Sequence, residues 1–169
     1  ELYLVRDSIG EKPLYYGYIN NEFAFASEIK TLNYFFYSKL KIDTDALSAF
    51  MSLMYVPSPL SIYKYVNKLE PGYYLKVSKK NNIINLNKYK WFNLDKFKNK
   101  KLINNEFDLN DNLNKFDNIL TKAIESQLIS DVPIGTFLSG GIDSSIITSI
   151  ISKKLSKNIS TFTIGFEEK

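Results

Sequence analysis

The chain has 169 residues, 44% hydrophobic and 15% aromatic, which suits one packed domain or parts of two and excludes a disordered chain. With 0 Cys and 0 His there is no disulfide, no thiolate or imidazole metal site, no Cys nucleophile and no His-dependent triad. The net charge of +4 comes almost wholly from Lys, with Arg6 the single arginine, so the basicity reads as a solvated surface and not as a nucleic-acid face.

The N-terminal stretch Leu2-Tyr3-Leu4-Val5 is β-prone. A polar Gly/Pro loop follows, Arg6 to Pro13, in which the adjacent Arg6 and Asp7 read as a structural ion pair. Residues 15–19 and 23–26, joined at Asn20-Asn21, predict a hairpin at the edge of an antiparallel sheet. Ser27-Glu28 then caps a short helix over residues 28–32. Asp43-Thr44-Asp45 caps a second helix, with Leu47, Phe50, Met51 and Met54 on one face, read as core. That helix ends before Pro57 and Pro59. Pro71-Gly72 makes a turn, and residues 73–77 pair with residues 83–86 through a turn over 79–82. Residues 87–112 are rich in Asn and Lys and read as a connecting loop, anchored by Trp91 and Phe92 and mobile toward its end. Leu113, Phe116, Leu120, Ala123, Ile124, Gln127 and Leu128 then form a 3.6-residue stripe, a helix with a core face. No apolar run is long enough to cross a bilayer as a helix.

The stretch that carries chemistry comes next. Residues 134–138 form a short apolar run, the signature of a buried strand. Ser139, Gly140 and Gly141 break it, and two glycines permit positive φ and close approach of a ligand to the backbone. Asp143 and Ser144 open a helix marked by Ile146, Ile147, Ile150, Ile151 and Leu155. Strand, tight loop and helix together aim free N–H groups and a positive helix end at one point, an anion site. Ser139, Ser144 and Ser145 add hydroxyl donors, and Asp143 adds a hard oxygen for Mg²⁺. An ordinary capped turn is the plainer alternative. No Lys follows the glycines, so this is not a Walker A loop. Residues 160–166 read as a last strand. Ligands of doubly wound sheets lie beyond the carboxyl ends of strands, so Phe137, Leu138, Ile164 and Gly165 are candidate walls of a ligand pocket.

Ser139-Gly140-Gly141-Ile142-Asp143-Ser144 resembles the pyrophosphate loop of the ATP pyrophosphatase superfamily. The lead-in Asp131-Val132-Pro133-Ile134-Gly135 resembles that of the glutamine-hydrolysing asparagine synthetases. Arg6 to Tyr16 and Phe25 to Lys30 are similar to the end of that family's amidotransferase domain, with Glu11 standing where the family usually has an apolar residue. The Tyr55-Val56-Pro57-Ser58-Pro59 segment and the hairpin led by Leu69-Glu70-Pro71-Gly72 match the family's junction between domains.

The resemblance implies a fold of class α/β with α+β. The tail of an antiparallel Ntn-type amidotransferase domain (residues 1–35) leads through interdomain hairpins and a connecting loop (36–112). The start of a parallel-sheet PP-loop domain, adenine nucleotide alpha hydrolase-like, follows (113–169). It implies ATP and Mg²⁺ as cofactors, with aspartate and glutamine as further small-molecule substrates. It also implies a cytoplasmic enzyme, a homodimer when intact, and an ammonia passage between two active sites. The implied nucleotide set is Phe137, Leu138, Ser139, Gly140, Gly141, Asp143, Ser144, Ser145, Ile164 and Gly165, with Phe137, Leu138, Ile164 and Gly165 as walls of the adenine pocket and Asp143 as metal ligand. No catalytic residue is assigned within the chain. The family's nucleophilic Cys would lie upstream of Glu1 and its aspartate-binding residues downstream of Lys169. The chain is therefore expected to be a fragment inactive in either half-reaction. A relative acting on another carboxylate and an inactive truncated remnant are the alternatives, with a nucleic-acid module behind both.

Overall fold

The computed structural model describes residues 1–37, 39–98, 109–155 and 158–165. The chain forms two compact units, Glu1–Lys101 and Leu102–Lys169. The first runs β1 (Leu2–Val5), β2 (Tyr15–Ile19), β3 (Glu22–Ala26), α1 (Ile29–Phe35), α2 (Thr44–Leu53), β4 (Val66–Lys68), β5 (Tyr73–Lys80), β6 (Ile83–Lys90) and α3 (Asp95–Lys98). Its strands make two antiparallel sheets, of order β1-β5-β6 and β3-β2-β4. Residues 66–90, expected between the domains, thus supply strands to the same sheets as residues 2–26.

Both hairpins turn on Asn-Asn pairs. Asn20 and Asn21 have φ of 49° and 64°, and Asn81 and Asn82 have 49° and 62°. Two successive positive φ angles match the twist of antiparallel strands, and Asn tolerates them better than most residues. The second hairpin therefore pairs to its tip, Lys80 opposite Ile83, beyond the expected strand ends.

Alternation along the strands builds the cores. Leu4 and Leu75, paired across β1 and β5, are buried with Val77, Tyr16 and Leu69, while Tyr3 and Val5 face outward. A second cluster, Ile19, Leu32, Phe36 and Val66, seats α1. Gly17 is required beside it: a Cβ there would lie 2.8 Å from the Phe36 ring.

The two helices differ from expectation in instructive ways. Helix α1 runs to Phe35, and its N-cap Glu28 makes no side-chain cap, its carboxylate pairing with Lys30 instead. Helix α2 is capped as expected: the Asp43 carboxylate accepts from the N–H groups of Asp45 at 2.9 Å and Ala46 at 3.1 Å. Its apolar stripe is not core in this unit, however. Ala46 alone of the helix is buried, and Met51 is 73% exposed.

The second unit contains α4 (Leu109–Gln127), β7 (Gly135–Phe137), α5 (Ile142–Ser149), a π-helical turn (Ile150–Lys154) and β8 (Ser160–Phe162). Strands β7 and β8 pair in parallel. Ile124, Ile150 and Ile151 are the buried centre, packed by Leu120, Leu128, Leu155 and Ile159. Of the α4 stripe only Leu120, Ile124 and Leu128 are core; Leu113, Phe116, Ala123 and Gln127 are exposed. Residues 134–138 were expected as a buried strand, yet Phe137 is 81% exposed: alternation sets Thr136 against Thr148 of α5 and leaves Phe137 on the opposite face, where it meets the Phe162 ring. The end of the connecting loop, residues 99–108, and Phe166 of the last expected strand lie outside the described residues. Taken whole, the described chain is mixed α/β with antiparallel sheets in its first unit.

Candidate functional site

The candidate site is the crossing from β7 to α5. Gly140 has φ of +81°, the left-handed region that glycine enters without penalty. A Cβ at Gly140 would meet nothing within 4 Å, so the backbone angle and not crowding requires glycine there. Gly141 is the N-cap of α5, with extended backbone and no side-chain cap. The first N–H groups of a helix have no intrahelical acceptor, so the start of α5 presents donors to the loop. The Ser145 N–H closes the first helical bond, to the Gly141 carbonyl at 3.1 Å.

The hydroxyls gather on the loop. Ser139 Oγ and Ser144 Oγ are 3.2 Å apart, and the Ser144 hydroxyl donates to the Gly141 carbonyl at 3.1 Å. Asp143 stands in the first turn of α5, exposed, its carboxylate at the positive end of the helix. Ser145 points elsewhere: with Ile146 and Ser149 it lines a mostly apolar groove of about 610 Å³ against Leu113, Phe116 and Leu120 of α4. The structure thus brings Ser139, Gly140, Gly141, Asp143 and Ser144 together at the loop. It sets Ser145 on the helix face behind it.

The expected pocket walls stand at the strand ends. Leu138 is tied to β8, its N–H donating to the Phe162 carbonyl at 2.9 Å. Phe137 and Ile164 are both open to solvent, and nothing lies within 4 Å of a Cβ placed on Gly165. Two threonine contacts escaped the sequence reading. Thr136 Oγ1 of β7 lies 3.2 Å from Thr148 Oγ1 of α5, and the Thr163 hydroxyl donates to the Leu138 carbonyl at 2.6 Å. Neither forms part of a motif; only the pairing of β7 with β8 and the packing of α5 reveal them.

This arrangement suits a phosphate group. The helix start offers backbone donors at the loop, with the Ser139 and Ser144 hydroxyls and the Asp143 carboxylate beside them. A divalent cation fits as well: Mg²⁺ is commonly held by one or two carboxylates together with phosphate oxygens, and Asp143 offers one such carboxylate. No cluster of three or more acidic, His or Cys side chains able to hold a metal occurs among the described residues.

Comparison with known proteins bears on both units. The glutamine amidotransferase domain family matches residues 1–91, and the asparagine synthase family matches residues 115–169. Asparagine synthetase [glutamine-hydrolyzing] 1 of Bacillus subtilis (strain 168) is 36% identical over 168 residues, 99% of this chain and 25% of the relative. Putative asparagine synthetase [glutamine-hydrolyzing] 2 of Methanocaldococcus jannaschii is 36% identical over 185 residues, 99% of this chain and 32% of the relative. Asparagine synthetase [glutamine-hydrolyzing] 3 of Bacillus subtilis is 33% identical over 172 residues, 99% of this chain and 26% of the relative. The chain therefore spans about a quarter to a third of the curated relatives it matches.

Proposed function

The chain belongs to the glutamine-hydrolysing asparagine synthetase family, and from that membership we propose that the whole protein amidates aspartate at the expense of ATP, with ammonia drawn from glutamine. In this reading the tail of an Ntn-type amidotransferase domain (residues 1–35) is joined by the segment 36–112 to the start of a PP-loop domain (residues 113–169). The parallel pairing of β7 with β8, a glycine loop and a following helix support that second assignment.

The reaction divides in two. Glutamine hydrolysis releases ammonia. The β-carboxylate of aspartate attacks the α-phosphorus of ATP, pyrophosphate departs, and ammonia displaces AMP from the resulting β-aspartyl adenylate. The chain's part is electrostatic. The N–H groups at the start of α5 hold the pyrophosphate as charge grows on it, and the Ser139 and Ser144 hydroxyls turn to it from their bonds to each other and to the Gly141 carbonyl. Asp143 would hold Mg²⁺, which when bound neutralises the same charge. Phe137, Leu138, Ile164 and Gly165 would border the adenine. Ser145 contributes through its N–H, which closes the first turn of α5. We place the enzyme in the cytoplasm, as a homodimer with small-molecule substrates and no nucleic acid.

The observation that carries this reading is the loop: Gly140 at positive φ, between a strand end and a helix start that faces it with donors and Asp143. Replacement of Asp143 tests it. In the full-length protein Asp143→Ala should abolish ATP-dependent AMP formation and leave glutamine hydrolysis intact. AMP formed at the unsubstituted rate would sink the assignment.

A further inference from the structure

Parallel pairing dictates what the backbone of Leu138 should bond. Strands β7 and β8 pair Phe137 with Phe162, so by extension Leu138 stands opposite Thr163. The Leu138 N–H donates to the Phe162 carbonyl at 2.9 Å, as that register requires. The same register assigns the Leu138 carbonyl to the N–H of Ile164. It is taken instead by the Thr163 hydroxyl, at 2.6 Å. Here the backbone leaves the ladder. Strand β8 ends at Phe162, Ile164 is 78% exposed, and Gly165 has open space around it.

This substitution sits at the root of the glycine loop, since Leu138 directly precedes Ser139. Packing does not hold the loop, for a Cβ at Gly140 would touch nothing within 4 Å. Its two roots hold it. At the α5 root the Gly141 carbonyl accepts from both Ser144 Oγ and Ser145 N at 3.1 Å. At the β7 root Leu138 is bound through its N–H to the last residue of β8 and through its carbonyl to Thr163, the residue that follows.

We propose that Thr163 is a positioning residue for the phosphate loop: its hydroxyl replaces a backbone amide, so that β8 turns away from β7 at Ile164 while the carbonyl preceding the loop stays fixed. The inference rests on the reading of that loop as the ATP phosphate site. Without the hydroxyl, the Leu138 carbonyl must either lose its partner or recapture the Ile164 N–H, which shifts the loop root or draws the strand ends together. Either outcome misplaces groups that act only when correctly aimed.

The test uses the full-length protein with Thr163→Val and Thr163→Ser, a near-isosteric pair that separates hydroxyl from shape. Thr163→Val should raise the KM for ATP in pyrophosphate release about tenfold, the equivalent of one net hydrogen bond. It should leave glutamine hydrolysis unchanged. Thr163→Ser, which keeps the donor, should stay within about twofold of the unsubstituted protein. An unchanged KM in Thr163→Val overturns the proposal. So does equal impairment in Thr163→Ser, which would assign the effect to the methyl group. If the unsubstituted protein releases no pyrophosphate from ATP, the loop reading itself fails. If it does, and Thr163→Val matches it, the role of Thr163 alone fails.

Discussion

Arg6 and Asp7 show what a single side chain contributes. Adjacent residues leaving a strand point to opposite sides, so neighbours in sequence are poorly placed to pair with each other. Arg6 turns inward and is buried, donating to the carbonyls of Lys12 at 2.9 Å, Gly10 at 3.0 Å and Leu69 at 2.5 Å. Asp7 curls over its own loop and accepts from the N–H groups of Ile9, Gly10, Glu11 and Lys12. The expected ion pair is thus two separate clamps on backbone, one cationic and one anionic. These residues were legible as structural, but their partners were not, because the carbonyl at Leu69 reaches Arg6 only once the sheets have formed. The backbone donors, that of Glu11 foremost, hold the Asp7 carboxyl below the ordinary aspartate value of 3.8. A carboxylate whose folded-state pKa lies lower stabilises above the unfolded value, and the contribution is lost as pH falls through the folded one. Asp7→Asn should therefore melt below the unsubstituted chain at pH 7, and the gap should close as the pH is taken below 3.8. Thermal melts of both proteins from pH 7 down to about 2.5 measure it.

At the scale of elements, local signals placed most of the pieces and burial decided the rest. The Asn-Asn turns, the Asp43 cap and the glycine break after Leu138 are short-range chemistry, and each was readable where it stands. What covers a helix face is not local. The stripes of α2 and of the first half of α4 have the spacing of core helices, yet periodicity shows only that a face is apolar. Within their own units Met51, Leu113 and Phe116 are exposed. Gly17 is the converse case, a strand glycine whose reason lies 19 residues away in the Phe36 ring. Phe36 is fully buried, packed on β2 where a Cβ at Gly17 would come to 2.8 Å from its ring and 3.4 Å from the Tyr65 carbonyl. Overpacking of this kind costs about 1–3 kcal/mol. Gly17→Ala should lose that much in denaturant unfolding, and Gly17→Ala/Phe36→Leu should lose less than the sum of the two single changes, since the smaller side chain relieves the clash. Additivity in that cycle would mean that ring and glycine are not coupled.

For the whole molecule, two families matched two compact units, and the motifs that announced them lie at opposite ends of the chain. That division was legible because each unit carries its own signature, Arg6 to Tyr16 in one and Ser139 to Ser144 in the other. The sheet membership of residues 66–90 was not, because antiparallel pairing of β1 with β5 joins segments some seventy residues apart that share no local mark. One property belongs to the composition as a whole. With no His and no Cys, the chain has no side chain that ordinarily titrates between about pH 6 and 8. The local shifts reinforce this. Glu1 and Asp7 move down, each through its hydrogen-bond donors, while Lys30 and Lys76 move up through their carboxylate partners, Lys76 to about 12. Among the described residues Lys68 alone moves toward neutrality, because burial and then the Arg6 charge disfavour its ammonium form. An amine whose folded-state pKa is lowered binds fewer protons folded than unfolded, so its contribution to stability rises with pH toward the ordinary value of 10.5. The melting temperature of the 169-residue chain should therefore be flat from about pH 6 to 8 at constant ionic strength. Toward about pH 10 the unsubstituted chain should gain on Lys68→Met. A slope inside that window could come from no side chain of ordinary pKa in the sequence, leaving only the chain's α-amino group to supply it, and a constant gap to Lys68→Met would show that the ammonium is not held against its solvation.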